Sequence, residues 1–449
     1  MCMGLIGHLL ETRILAPLVA SLMLVLWSTG AAALPAFARQ TGQNCVACHA
    51  GGQFPELTQH GRLFKLTGYT LGARSIPISG MAVIGYTKTA NKSAGGADPG
   101  SFLRDGAVVL QSASLFLAGK ITDNLGLFSQ WTYTPYGGDD GLTGHSNVDN
   151  TELRFADRFA DKTRDLIVGA FVNNNPSLQD VWNSTPAWGY PYVNSAFGVT
   201  PVAAPLIAGD LAQQSVGGGA YAYWNQTLYG ELSFYGTANK ALSFLRAGTL
   251  DHRFAKPAPY WRLALTHNWG AHFGMLGLFG MDAELRNDPT DSASSSNRFD
   301  DIGFDGQYQY ILDPHTVTAH LTYIREKQHW GDEQVAAGVN PTDTLKQLKL
   351  KANYTYRAQY GASLAFQKTS GSNDAGLYPQ GDPVAGSATN SPATQVWIPE
   401  VYWMPLQYLR VGMQYWYYSR YNGSSTDYSG TGRNARDNNM FFLYVWVLQ

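Results

Sequence analysis

From about residue 78 onward, the sequence repeats one pattern, in which segments of about ten residues carry apolar or aromatic side chains at alternate positions. The segment at 348–357, LKLKANYTYR, is typical of them. Because the side chains of a β-strand point alternately to its two faces, this period predicts strands with one apolar face. The pattern therefore restricts this part of the chain to an all-β fold.

The connections between these segments show a second regularity. Tight turns, such as Asp313-Pro314, alternate with long loops rich in Gly, Asp, Ser and Asn. Short turns at one end and long loops at the other are typical of outer-membrane β-barrels, whose turns are periplasmic and whose loops are extracellular. We therefore predict a transmembrane barrel of about 16 strands in the bacterial outer membrane. The predicted strands lie at roughly 78–89, 107–121, 125–134, 148–156, 164–173, 217–224, 226–236, 259–268, 272–283, 300–311, 314–326, 345–357, 360–370, 393–403, 406–418 and 437–448.

The alternative fold is a soluble β-sandwich, whose strands also alternate. Aromatic residues near the strand ends favour the barrel, because a membrane barrel places aromatic girdles at both lipid interfaces. The girdle candidates are Tyr223, Trp224, Tyr402, Trp403, Trp416, Tyr417 and Tyr418. Charged residues make up only 14% of the chain, which also suits a sheet surrounded by lipid.

The N-terminus has the pattern of a secretory signal peptide. Arg13 is followed by an apolar run over 14–27 and then by three alanines at 31–33, a small-residue cleavage pattern. We therefore predict that residues 1–33 are removed on export. The chain balances 31 basic against 33 acidic residues, which gives no reason to propose nucleic acid as a partner.

The motif CVACH at 45–49 has the Cys-x-x-Cys-His spacing at which two thiols bond to haem and the next residue binds its iron. This interpretation makes Cys45 and Cys48 the attachment sites and His49 the proximal ligand. The alternatives are a redox disulfide, expected within a βαβ pattern, and half of a zinc site, which needs two more ligands. Neither context is present in the sequence, and Cys2 lies in the predicted signal peptide. We predict one covalently bound haem c.

The haem segment, residues 34–76, is too short to bury a core of its own, so we predict that it plugs the lumen of a barrel formed by residues 77–449. Within it, a helical pattern opens at Pro55 and ends near Gly68. One long connection, 174–216, is rich in proline and aromatic residues. It is predicted to fold into the lumen, with an extracellular cap as the alternative.

The sixth ligand of the haem iron has more than one candidate. Met81 stands at the start of the first strand, and His-Met ligation would raise the haem potential. His60 is the alternative, and a lumen-facing histidine such as His320 or no protein ligand are further options. Without a role at the iron, Met81 would be a strand residue packed on the plug, and His60 an ordinary helix-face residue.

Charged residues supply two further hypotheses. Three basic residues of the haem segment are candidates to pair with the haem propionates, or are otherwise solvated charges of the lumen: Arg39, Arg62 and Lys65. Two acidic pairs could attract a cation at the outer mouth, although such residues are more often turn formers: Asp139-Asp140 and Asp300-Asp301.

Together these features resemble the fused monohaem cytochrome c-porins of the bacterial outer membrane, whose studied members are iron oxidases. The resemblance spans the mature chain and is carried by PAFARQTG at 35–42, CVACH at 45–49, FPELT at 54–58, GRLFK at 61–65 and Gly68-Tyr69. It implies a haem domain threaded into a β-barrel. Such a protein passes electrons from an extracellular donor, for which Fe(II) is one candidate, to a periplasmic cytochrome or another carrier.

Two classes of function follow. The first is an electron conduit, with or without an oxidase activity of its own, and the second is a diffusion porin whose haem plug is structural or sensory. A buried haem without a solute route favours the conduit, and an open lumen beside the plug favours the porin. A haem peroxidase is a third option, which requires an open distal site with polar groups around it.

Overall fold

The computed structural model describes residues 35–52, 55–91, 106–135 and 144–449. The predicted signal peptide, residues 1–33, and the pair Asp139-Asp140 lie outside these residues. Sixteen antiparallel strands form one closed barrel, in which each strand pairs with its neighbours in sequence and the last pairs with the first. The strands are β1 (Ile78–Thr89), β2 (Val108–Lys120), β3 (Leu125–Thr134), β4 (His145–Ala160), β5 (Asp165–Asn173), β6 (Ser215–Trp224), β7 (Leu228–Thr237), β8 (Ala258–Trp269), β9 (His272–Arg286), β10 (Ser296–Leu312), β11 (His315–His329), β12 (Thr342–Tyr356), β13 (Tyr360–Gly371), β14 (Thr394–Leu406), β15 (Leu409–Arg420) and β16 (Met440–Leu448).

The connections alternate in length, as predicted. At one end, which we name the turn end, the links are short, as at 225–227, 270–271 and 313–314. At the other, the loop end, they are long, as at 372–393 and 421–439. By the architecture of outer-membrane barrels, the turn end is periplasmic and the loop end extracellular.

The sheet is polar on the face that lines the barrel interior and apolar on its outer face, which is the reverse of a soluble sandwich. On β12 the polar Lys351 and Asn353 are buried in the barrel, whereas Ala352 and Tyr354 point outward and are exposed. Large exposed apolar side chains recur around the barrel, among them Leu115, Leu232, Leu263, Leu276, Ile302 and Leu364. A polar interior inside an apolar exterior is the arrangement that lipid requires. The chain is an outer-membrane β-barrel protein whose outer face contacts lipid.

Only some of the residues predicted to form the aromatic girdle are on the outer face of the barrel. Trp224 is 53% exposed on the outer face, whereas its neighbour Tyr223 is 8% exposed and points inward. Trp403 and Tyr402 divide in the same way, as do the residues at 416–418. Consecutive residues of a strand point to opposite faces, so only one residue of each pair can reach the lipid interface.

Asp300 and Asp301 lie within β10, which begins at Ser296, and the prediction that they are turn formers is therefore wrong. Asp301 is buried inside the barrel, and Asp300 bonds Arg298 on the outer face through an Nη2 to Oδ1 contact of 2.9 Å. Asp301 suits a strand position because the interior of the barrel is polar, and Asp300 suits one because Arg298 pairs with it on the outer face.

The helices are short. They are α1 (Ala36–Thr41), α2 (Cys45–Cys48), α3 (Gln59–Leu66) and α4 (Asp332–Ala336), with 3₁₀ helices at Ala50–Gly52, Pro186–Trp188, Leu206–Ala208, Lys240–Leu245 and Ala435–Asn438. None of the helices within the described ranges is long and apolar enough to cross a membrane. The third helix begins at Gln59 and not at Pro55, because the Thr58 side chain caps it by accepting the Gly61 N–H at 3.2 Å.

We name residues 35–76 the plug. Its α3 helix reaches the barrel wall, where the Arg62 guanidinium donates to Gln309 of β10 at 2.7 Å. The hydroxyl of Tyr69 donates to Glu152 of β4 at 2.7 Å. Tyr69, Glu152 and Arg62 are all buried, so the plug packs inside the barrel.

The connection at 174–214 also lies inside the barrel. Gln307 of β10 donates to the carbonyl of Trp182 at 2.7 Å, and Gln414 of β15 donates to the carbonyl of Val193 at 3.1 Å. The same connection meets the plug, because the Lys65 ammonium donates to the carbonyls of Leu178 and Asp180. The plug and this connection together occupy the lumen.

Candidate functional site

The CVACH motif is held by backbone hydrogen bonds from both sides. The N–H of His49 donates to the carbonyl of Cys45 at 2.8 Å, which closes the α2 turn. The N–H of Thr58, just before α3, donates to the carbonyl of Cys48 at 2.9 Å. A Cβ on Gly61 would lie 2.1 Å from that same carbonyl oxygen, so only glycine lets α3 pack this closely on α2.

The motif borders a cavity of about 400 Å³, within the usual size range of ligand pockets. Cys45, Cys48 and His49 line it from the plug, and Met81 lines it from β1. The N–H of Cys45 donates at 3.0 Å to Gln407, which lies in the turn between β14 and β15, so the cavity is at the turn end. The remaining lining is rich in aromatic side chains, including Phe37, Phe64, Phe116, Phe128, Trp188 and Trp446.

The two cysteines carry free thiols and form no disulfide. Burial raises the pKa of both thiols, and for Cys48, with the charge of Cys45 adding to the effect, the pKa rises to about 11. Both groups are therefore neutral at pH 7. A reactive redox pair requires the opposite, because a lowered pKa is what exposes the nucleophilic thiolate.

The candidate distal ligands lie in different places. Met81 lines the cavity and packs beside Trp446 and Val83. His60 is exposed on α3 and is not part of the cavity wall. His320 is buried on β11, where its Nε2 lies 3.0 Å from Nε2 of Gln307, and it is also outside the cavity wall.

Two of the three basic candidates bind protein groups and do not line the cavity themselves. The Arg39 guanidinium donates to the carbonyls of Ile76 and Ile78. Arg62 donates to the carbonyl of Leu57 at 2.8 Å, and its guanidinium carbon lies 3.6 Å from the centroid of the Phe273 ring. Neither arginine belongs to the cavity wall.

Lys65 does line the cavity. Its ammonium donates to the carbonyls of Leu178 and Asp180 at 2.8 and 2.6 Å and lies 4.5 Å from the centroid of the Trp188 ring. Of the three candidates, Lys65 is therefore the one in the cavity wall, and burial lowers the pKa of its ammonium to about 7.

Glu56 joins the plug to the wall, a role that its sequence context does not predict. Its carboxylate lies 2.5 Å from the Lys351 ammonium and accepts the Thr318 hydroxyl at 2.6 Å, all fully or almost fully buried. Burial alone would raise the pKa of Glu56, but Lys351, His320 and Thr318 more than offset it and hold the pKa at about 2. A lone glutamate between Pro55 and Leu57 was the only signal in the sequence.

No protein-family model matches this chain, and no curated protein matches it. Among solved structures, it is similar to an anion-selective porin from Comamonas acidovorans, with 10% identity and a TM-score of 0.46 over 84% of this chain and 99% of the porin. It is also similar to Salmonella typhi OmpF in complex with daunomycin, with 10% identity and a TM-score of 0.45 over 83% of this chain and 97% of OmpF. For the outer-membrane channel DcaP of Acinetobacter baumannii the identity is 9% and the TM-score 0.44, over 83% and 96%. The strand pairings themselves establish the porin-like barrel of this chain.

Proposed function

We propose that this protein is an electron-transfer protein of the outer membrane that carries one covalently bound haem c. The observation that carries the proposal is that Cys45, Cys48, His49 and Met81 line one cavity. Met81 comes from β1 and the others come from the plug, so these four residues line one cavity only in the folded barrel.

The residues at the cavity fit this group. Two free, neutral thiols are suited to thioether bonds, and an imidazole with a methionine sulfur is a ligand pair of c-type cytochromes. The aromatic wall suits a flat apolar ring, and Lys65 is placed to meet a propionate. When bound, the haem would supply reversible one-electron transfer at a potential that its surroundings tune.

The protein's own contribution is to position the candidate ligands and to surround them with a wall rich in aromatic side chains. The hydrogen bond from the N–H of His49 to Cys45 holds the backbone behind the imidazole, and the β1 ladder holds Met81. The aromatic wall keeps the cavity apolar, which together with methionine ligation raises a haem potential. These features suit a weakly reducing electron donor.

The position of the cavity gives the conduit a direction. An apolar band about 25 Å tall separates the two sides of such a barrel. The cavity lies at the turn end, so a periplasmic cytochrome or another carrier would accept the electron there. The extracellular donor, with Fe(II) as a candidate by family resemblance, would act from the loop end.

A liposome assay tests this proposal. The purified haem-loaded protein is inserted into liposomes that enclose a redox dye, and a membrane-impermeant reductant is added outside. We expect the dye to be reduced, and we expect no reduction with the Cys45→Ser/Cys48→Ser variant in the same membranes. If every donor fails while small solutes leak out, the conduit proposal is wrong.

One observation favours a second candidate, a diffusion porin whose haem plug is structural or sensory. A closed barrel of sixteen strands is the size at which porins leave an aqueous channel. Liposome swelling in sugars of graded size tests this candidate directly. Swelling without electron transfer supports the porin, and electron transfer without swelling supports the conduit.

A further inference from the structure

Two acidic side chains face each other inside the loop end of the barrel. Asp301 of β10 and Glu326 of β11 are paired directly across the two strands, and they are 3% and 0% exposed. Like charges in directly opposite positions destabilise a sheet, and burial removes the water that would screen them. The two carboxyl groups hydrogen-bond each other, which requires one shared proton unless a cation replaces it.

None of the described basic side chains is an ion-pair partner of these two acids. The charged groups that act most strongly on the pair are Asp300 and Asp210, which are acidic too. The N–H of Leu206 donates to Glu326 at 2.5 Å but carries no net charge.

A neighbouring amide points to a ligand independently of the two acids. Gln328 is 6% exposed, and its Oε1 is buried without a hydrogen-bond partner. Its Nε2 donates to Glu326 at 2.7 Å, so the amide stands beside the acidic pair. Asp301 Oδ1 is likewise buried without a hydrogen-bond partner. Buried acceptor oxygens that lack donors are the groups a hard cation coordinates.

We propose that Asp301, Glu326 and Gln328 bind a divalent cation that prefers oxygen ligands, of the Ca²⁺ or Mn²⁺ class. The two carboxylates balance its charge, and the amide oxygen completes the protein's share of the ligands. Asp210 is exposed and acts electrostatically on Glu326. Its negative charge would attract cations toward the pair from the loop end. None of these residues lines the haem cavity, so the site does not depend on the haem.

Mn²⁺ is the probe for this site. The full chain is folded in detergent, stripped with EDTA and titrated with Mn²⁺, whose free form is followed by electron paramagnetic resonance. We expect saturable binding that Ca²⁺ displaces and that Asp301→Asn/Glu326→Gln weakens by at least about tenfold. Asp300→Asn is the matched control, because this adjacent carboxylate bonds Arg298 on the outer face and acts on the pair only through space, so its loss should weaken binding far less than the double variant does.

Two results overturn the proposal. One is a wild-type protein that binds no more Mn²⁺ than the double variant, since the pair then shares a proton. The other is an unfolding temperature of the wild-type barrel that Mn²⁺ does not raise, a measurement that stands even if the double variant fails to fold. The haem-free Cys45→Ser/Cys48→Ser protein should bind Mn²⁺ normally, which separates this test from that of the haem proposal.

Discussion

The turn end and the loop end of the lumen present different ligand atoms. At the turn end, the thiols and imidazole of the CVACH motif and the sulfur of Met81 line an apolar cavity. At the loop end, the carboxylates of Asp301 and Glu326 face each other with no basic partner among the described residues. Sulfur and imidazole suit haem iron, whereas paired carboxylates suit a hard cation. One barrel thus presents two unlike sets of candidate ligand atoms on its inner surface.

The buried acids of the two regions also differ in whether a basic side chain faces them. Glu56 at the plug is paired with Lys351, so its charge is satisfied by the protein and serves to hold the plug. Asp301 has no basic partner and hydrogen-bonds Glu326 instead, so the two acids either share a proton or bind a cation. A buried acid is therefore a structural tie where a base faces it and a candidate binding group where none does.

The largest effect is expected from removing both thiols. In Cys45→Ser/Cys48→Ser the haem can no longer be bonded covalently, so we expect complete loss of the haem stain from a denaturing gel. The barrel should still fold, because its strand pairing does not involve the motif. Haem that stays attached through denaturation in this variant would contradict the proposed attachment.

Removing the Glu56–Lys351 ion pair, which joins the plug to the barrel wall, should have the next largest effect. Glu56→Gln leaves Lys351 buried and unpaired, which should cost about 3–5 kcal/mol in the free energy of unfolding. Urea unfolding in lipid vesicles measures this cost. Asp300→Asn, which breaks the exposed pair with Arg298, is the control and should cost less than about 1 kcal/mol. Equal small effects would show that Glu56 is not a structural tie.

Acid should remove the same stabilisation progressively. The pKa of Glu56 is lowered from 4.5 to about 2 in the folded protein, so the folded state binds the proton less readily than the unfolded state. The contribution of Glu56 is therefore complete above pH 4.5 and is lost as the pH falls through about 2. The gap in unfolding free energy between wild type and Glu56→Gln should narrow over this window. If the difference in unfolding free energy increased toward acid pH instead, the proposed stabilisation by the Glu56–Lys351 pair would be refuted.

The smallest effect on stability is expected at Met81. Met81→Leu conserves volume and should change the unfolding free energy by less than about 1.5 kcal/mol. With the sulfur gone, the midpoint potential should fall and the low-spin, six-coordinate spectrum should be lost. His60→Ala should change neither, since His60 lies outside the cavity wall. The reverse outcome would make His60 the distal ligand, and a wild-type spectrum that is already five-coordinate would favour a peroxidase.

The sequence alone determined the local features of this protein. Alternation with period two is a property of the strand backbone, so it located all sixteen strands and the order of turns and loops. The CVACH motif is equally local, because its chemistry depends on residues within one helical turn. The start of the third helix was misplaced, since the cap at Thr58 competes with the signal of Pro55.

Only the tertiary structure decided which distant residues meet. Glu56 and Lys351 are 295 positions apart, and Met81 joins the motif only because β1 closes the barrel beside the plug. Asp301 lies opposite Glu326 because of the β10–β11 register, in which a slip of one residue would turn one of the two out of the lumen. Periodicity specifies which side chains share a face, whereas register and closure specify which of them touch.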